Sequence, residues 1–157
     1  MKKGTIFLLL AVIGFVGVAF QTTELCNVKL LKSELKKELN PDYKYDASNV
    51  TRFTYSSKFQ GKEIEVPLFD GQKYRFAFNI NGADKNFQIY ISYEKAGDKN
   101  RKNIFALKDI RKEGQDIYVF EPKDSKKVYI TYIIPPSVES TNSSCVAFIL
   151  GYQFNSF

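Results

Sequence analysis

"EIEVPLFDGQKYRFAFNI", Glu63–Ile80, decides how this chain folds. Ile64, Val66 and Leu68 alternate with Glu63, Glu65 and Pro67; after Asp70-Gly71 the alternation resumes, with Tyr74, Phe76, Phe78 and Ile80 set against Arg75, Ala77 and Asn79. A period of two places one set on each side of an extended chain, whereas a helix needs repeats of three and four. The stretch is therefore two half-buried strands joined at a turn, for which Asp-Gly is a signal. Pro67 has no N–H to give to a ladder, so its strand lies at an edge or a bulge.

Moving toward the C-terminus, Asn81-Gly82 marks the next turn, and "NFQIYISYE" repeats the pattern through Phe87, Ile89, Ile91 and Tyr93. "NIFALKD", "DIYVFEP" and "KKVYITYIIPP" follow, the last two apolar on both sides and hence expected at the centre of a sheet. "SSCVAFILGYQF", Ser143–Phe154, comes last. Its apolar run is too short for a membrane-spanning helix and lacks the clean alternation of a membrane barrel strand, so it reads as a two-sided buried strand. Asn155-Ser156-Phe157 falls out of its register and reads as a tail. With "VTRFTYSSKF" on the N-terminal side, the count reaches eight strands. Short strands at this spacing predict a mainly β domain, an antiparallel, jelly-roll-like β-sandwich over residues 49–157.

Before the strands the period changes. "CNVKLLKSELKKELNP" spaces Val28, Leu31, Leu35 and Leu39 by three and four, and Pro41 stops the run. This predicts one short amphipathic helix, with a linker, over residues 22–48. Its polar face mixes Glu34 and Glu38 with lysines, which suits packing on a sheet better than lying on a membrane.

The first 21 residues have another character. Lys2 and Lys3, an apolar run from Ile6 to Phe20, and small residues at Gly17 and Ala19 form the layout of a secretory signal peptide. Cleavage is the expectation and an uncleaved anchor the alternative. The chain is thus expected to be exported, to a periplasm or the cell surface, with no membrane span after cleavage. Losing Lys2 and Lys3 lowers the formal net charge from +6 to +4. In an oxidising compartment, Cys26 and Cys145 are expected to form a disulfide, closing a loop worth about 4–5 kcal/mol in the chain-entropy model. Without a C-x-x-C pair, a redox role is not expected.

The chain contains no histidine, which removes Ser-His and Cys-His nucleophiles and imidazole-bound zinc. Glu63 and Glu65 share a strand face but look like ordinary solvent-facing glutamates. Asp84, Asp98, Asp116 and Asp124 lack the close spacing of a calcium loop. No catalytic residue, metal or cofactor is expected. Lys99–Asn103, "KNRKN", is read as a solvated loop, with an anionic glycan or lipid head group as the alternative. An exported chain with no aromatic-basic motif is a poor nucleic-acid binder. Asn49-Val50-Thr51 and Asn142-Ser143-Ser144 match the glycosylation sequon.

Aromatic content stands out, with 14 Phe and 10 Tyr but no Trp. Most of these rings belong in a sandwich core. Tyr43, Tyr45 and Tyr55, near the helix-to-sheet junction, and Tyr118 and Phe120, on one strand face, are the candidate binding aromatics.

"EVPLFDGQKYRFAFNI", "IYVFEP", "YITYIIPP" and "CVAFILGY" together resemble short exported β-sandwich proteins of Bacteroidetes-type bacteria, a resemblance that brings no activity with it. A more distant similarity, over Lys62–Tyr152, is to bacterial pre-peptidase C-terminal domains, although the attached catalytic domain and acidic calcium cluster of that family are missing here. The functional expectation is an exported, non-catalytic accessory protein of the bacterial envelope that binds another envelope protein. A glycan-binding module is the alternative.

Overall fold

The computed structural model describes residues 26–137 and 142–154; the signal-like segment and the terminal Asn155–Phe157 lie outside them. Its elements run α1 (Val28–Lys37), β1 (Lys44–Thr54), β2 (Gln60–Val66), β3 (Gln72–Asn79), β4 (Gln88–Ser92), β5 (Asn103–Ala106), α2 (Leu107–Ile110), β6 (Ile117–Phe120), β7 (Val128–Ile134) and β8 (Ser143–Phe154). The strands form two antiparallel sheets, ordered β1-β8-β3-β6 and β2-β7-β4-β5. Pairing thus joins first to last, second to seventh, third to sixth and fourth to fifth. This is a long ribbon wound over on itself, the jelly-roll expected from the strand count.

Among the described residues, β4 and β5 are the one consecutive pair of strands hydrogen-bonded to each other. Asp70-Gly71 and Asn81-Gly82 are therefore arches from one sheet to the other and not hairpin turns. Both glycines sit at φ 81°, a left-handed conformation that side chains resist. The arch lets Ile64 and Val66 on one strand and Tyr74, Phe76 and Phe78 on the next face each other across the core. Val128, Ile130, Tyr132 and Ile134 complete one wall, and Val146, Phe148 and Leu150 the other.

The two-sided apolar reading holds for β7 and β8, each paired on both edges. It fails for β6, which is an edge strand with Val119 exposed. Tyr118 and Phe120 face the core, while Ile117 packs at the margin of a second cluster outside the sheet. That cluster is the seat of α1. Leu31, Leu35 and Leu39 lie on Ala77, Cys145, Ala147 and Ile149, whose mostly small side chains let the helix approach closely. Asn27 caps α1, its side chain accepting the Leu30 N–H at 3.1 Å. The Cys26–Cys145 disulfide spans 119 residues and ties the start of the helix to β8.

The sandwich begins earlier than the alternation signals. β1 starts at Lys44, so Tyr45 belongs to the sheet and not to a linker. The strand's first half is polar because it is an edge with one flank open. Lys62 Nζ donates to the Arg52 carbonyl at 2.6 Å and Gln60 Nε2 to the Thr54 carbonyl at 2.9 Å. Side chains of one sheet thus occupy backbone acceptors on the edge of the other, a guard against edge-to-edge pairing. Pro67 falls just after edge strand β2, as its chemistry requires.

Candidate functional site

The connections β2–β3, β4–β5 and β6–β7 converge at one end of the sandwich. Tyr93 leaves β4 there; its hydroxyl accepts the Asp124 N–H at 3.2 Å and lies 3.4 Å from the Asp124 carbonyl, to which it donates. Burial pushes the Tyr93 phenol above its ordinary pKa. Phe105 and Phe120, with ring centroids 5.1 Å apart, join β5 to β6 across the two sheets. Between these edges opens a cleft of about 400 Å³, walled by Tyr93, Ile104 and Phe120 and rimmed by Glu121, Lys123 and Asp124.

The same end carries two exposed rings. Phe69, in the β2–β3 arch, is 65% exposed, and Phe154, at the last rung of β8 opposite Gln72, is 59% exposed. Their backbones are fixed. The Phe69 N–H donates to the Tyr74 hydroxyl at 3.0 Å, which itself donates to Gln72 Oε1 at 2.7 Å. Ser125 Oγ donates to the Gln72 carbonyl, holding the β6–β7 connection against the arch.

The candidate aromatics do not converge. Tyr55 is buried, its hydroxyl accepting the Asp84 N–H at 2.8 Å and its ring edge-on to Phe53. Tyr118 is buried too, its hydroxyl bonded to the backbone of Lys112 and Gln115. Both hold the fold and offer no contact surface. Phe120 walls the cleft. Tyr43 is half-buried beneath the Arg75 guanidinium, 4.2 Å from its ring centroid. Arg75 also binds Glu121 at 2.6 Å and donates to the Glu38 carbonyl at 2.9 Å, so one side chain links helix, sheet and the rim of the cleft. Tyr45 stands apart, 51% exposed, beside α1. Tyr93, Phe69 and Phe154 were legible only as alternation or turn residues, because their convergence depends on the winding.

Glu63 and Glu65 have separate tasks. Glu63 meets Arg101 at 3.1 Å, accepts from Thr131 Oγ1 and from the Ala96 N–H, and so clips the β4–β5 connection to the outside of its sheet. Arg101 adds a 2.7 Å bond to Thr131. The middle of the "KNRKN" run is thus a structural clamp, with Lys99 and Lys102 in solvent. Glu65 pairs with Lys127 at 3.2 Å. Asp84 and Asp98 accept the N–H two residues on, shaping their own turns. Among the described residues, no three acidic or cysteine side chains converge as a metal site.

In comparison with known proteins, the chain matches no family model, no curated protein and no solved structure.

Proposed function

We propose that the chain is an exported, non-catalytic accessory protein of the bacterial cell envelope, which binds another envelope protein with the end of its sandwich. The observation that carries this reading is the grouping of Phe69, Phe154 and the Tyr93–Phe120 cleft at one end. Rings this exposed lose their contact with water when a partner covers them, at about 25 cal/mol per Å² of apolar surface. An aromatic cluster beside a cleft with a charged rim has the composition of a binding hot spot. The Cys26–Cys145 disulfide supports an oxidising compartment.

Site-specific photo-crosslinking in the host tests it. A crosslinker placed at Phe69 or Phe154 is expected to capture one discrete partner. At Phe59, 71% exposed in the β1–β2 connection at the opposite end, it is expected to capture none. Adducts common to all three positions, or none at Phe69 and Phe154, would refute the proposal.

A further inference from the structure

The outer side of β1 carries a feature that regular alternation forbids. Tyr45 pairs with Gly151 and Ala47 with Leu150, which leaves Asp46 as the extra residue of a bulge. In a regular strand, residues three apart point to opposite faces. Here the bulge turns both Tyr45 and Ser48 toward α1, where their hydroxyl oxygens lie 3.2 Å apart. The helix answers with Lys29, Lys32, Ser33 and Lys36, spaced by three and four along one stripe. Between strand and helix runs a groove of about 450 Å³, with Ile149 beneath it.

Among the described residues, its lining holds three ammonium groups and no carboxylate. Neighbouring acids are turned elsewhere. Glu34 accepts from Asn79 Nδ2 at 2.9 Å, and Asp46, the exposed residue of the bulge, is not part of the groove lining. Like charges at this spacing repel one another along a helix, so the stripe is a cost that an anion in the groove would relieve. Arg52, exposed on β1 opposite Cys145, extends the positive strip.

We propose that this groove binds an acidic polysaccharide, its anionic groups paired with Lys29, Lys32 and Lys36 and a sugar ring resting on Tyr45. From Lys29 to Lys36 the helix advances about 10 Å, so a chain bearing repeated charges meets all three lysines where a small anion meets one or two. Lys36 Nζ lies 5.6 Å from the Tyr45 ring centroid, placing charge and platform side by side. A membrane surface fits less well. Helices that lie on bilayers insert an apolar face, whereas Leu31, Leu35 and Leu39 are spent on the sheet and Leu30 alone among the helical leucines is exposed. The groove lies beside β1, the sheet edge opposite β6, so it stands independently of the Tyr93 cleft.

Calorimetric titration of the full-length protein with heparin (sulfated), polygalacturonate (carboxylated) and dextran (uncharged) tests the assignment. Binding to one or both acidic polymers, weakening as salt rises, and none to dextran is expected. K29Q/K32Q/K36Q should lose affinity by about tenfold or more. K95Q/K99Q/K102Q, which removes equal charge from the β4–β5 connection, should keep it. Tyr45→Ala should weaken binding several-fold and Tyr45→Phe should not. Unfolding midpoints matching the parent confirm that each variant is folded. The proposal fails if neither acidic polymer binds at low salt, if the groove variant binds normally, or if both triple variants lose affinity equally. Binding to phosphatidylglycerol vesicles without binding to either polymer would also overturn it.

Discussion

Replacing Gly151 by Ala sets two effects of opposite sign against each other. In a strand interior, Ala is ordinarily better than Gly by about 0.5–1 kcal/mol, because Gly surrenders more backbone freedom on folding. At Gly151, in β8 beneath the end of α1, a Cβ would stand 2.6 Å from Leu39 Cδ2, 3.0 Å from Tyr43 Cβ and 3.2 Å from Leu39 Cδ1. Leu39 is buried in the cluster beneath α1, where moving its methyls disturbs close packing, and the Tyr43 ring lies under the Arg75 guanidinium. Overpacking of this kind costs about 1–3 kcal/mol. The overlap therefore wins, and Gly151→Ala should lose about 1–2 kcal/mol, read as a lower urea midpoint at unchanged slope.

A double-mutant cycle makes the test specific. Leu39→Ala alone should lose about 2–5 kcal/mol by leaving a cavity. Combined with Gly151→Ala, the new methyl enters the space that Leu39 vacates. The double variant should then be more stable than the two losses predict by about 1 kcal/mol or more. A Gly151→Ala protein as stable as the parent, or a strictly additive cycle, would refute the seating of α1 on β8.

Two further outcomes follow from buried phenols. The Tyr132 hydroxyl is buried near Thr51 and makes no hydrogen bond of good geometry. Tyr132→Phe should therefore stabilise the protein by about 1 kcal/mol, and a loss of that size in urea unfolding would mean that the hydroxyl is satisfied. Burial also raises the pKa of Tyr43, Tyr55, Tyr74, Tyr93 and Tyr132 above the ordinary 10.0. Above that pH the unfolded chain sheds protons that the folded chain keeps. Their contribution is thus complete below pH 10.0 and is lost as pH rises beyond it. Tyrosinate absorbance should lag and then rise together with loss of the sheet signal; free titration of these rings with the sheet intact would contradict it.

Residues Glu63–Ile80 made the sandwich legible because burial on one side of a strand writes a period of two into the sequence. The same logic exposed β7 and β8 as central strands and misplaced β6. Ile117 is apolar on account of the helix-backed cluster at its side, and a two-sided apolar pattern does not say what covers each side. The start of β1 was illegible for the converse reason. Lys44–Asn49 is largely exposed along an edge and carries no alternation, so Tyr45 looked like linker. Pairing partners were out of reach too. Asp-Gly and Asn-Gly mark a reversal of the chain but not whether it returns to the same sheet. The candidate site depended on that missing information: Phe69, Tyr93, Phe120 and Phe154 belong to four separate segments, and the jelly-roll winding alone brings them to one end.

The winding also limits where this protein can meet others. One sheet has its outer side occupied by α1. The other is crossed by the β4–β5 connection, held down by Arg101, Glu63 and Thr131. What stays open among the described residues is the two ends of the sandwich, one with Phe69 and Phe154 and the other with Phe59, and the seam where α1 meets the edge strand. At the first end, the ladder closes on Gln72 opposite Phe154, and Phe69 lies in an arch whose turn is made by Gly71. Phe154 stands edge-on to Tyr152, with ring centroids 5.4 Å apart, and Lys44 Nζ lies 5.9 Å from its centroid. Yet it stays 59% exposed and Phe69 65% exposed, so both forgo part of the about 1.5–3 kcal/mol that full burial of the side chain supplies. At the seam, the bulge of β1 turns Tyr45 toward α1, where Lys36 Nζ lies 5.6 Å from its ring centroid and Lys29 and Lys32 line the same groove.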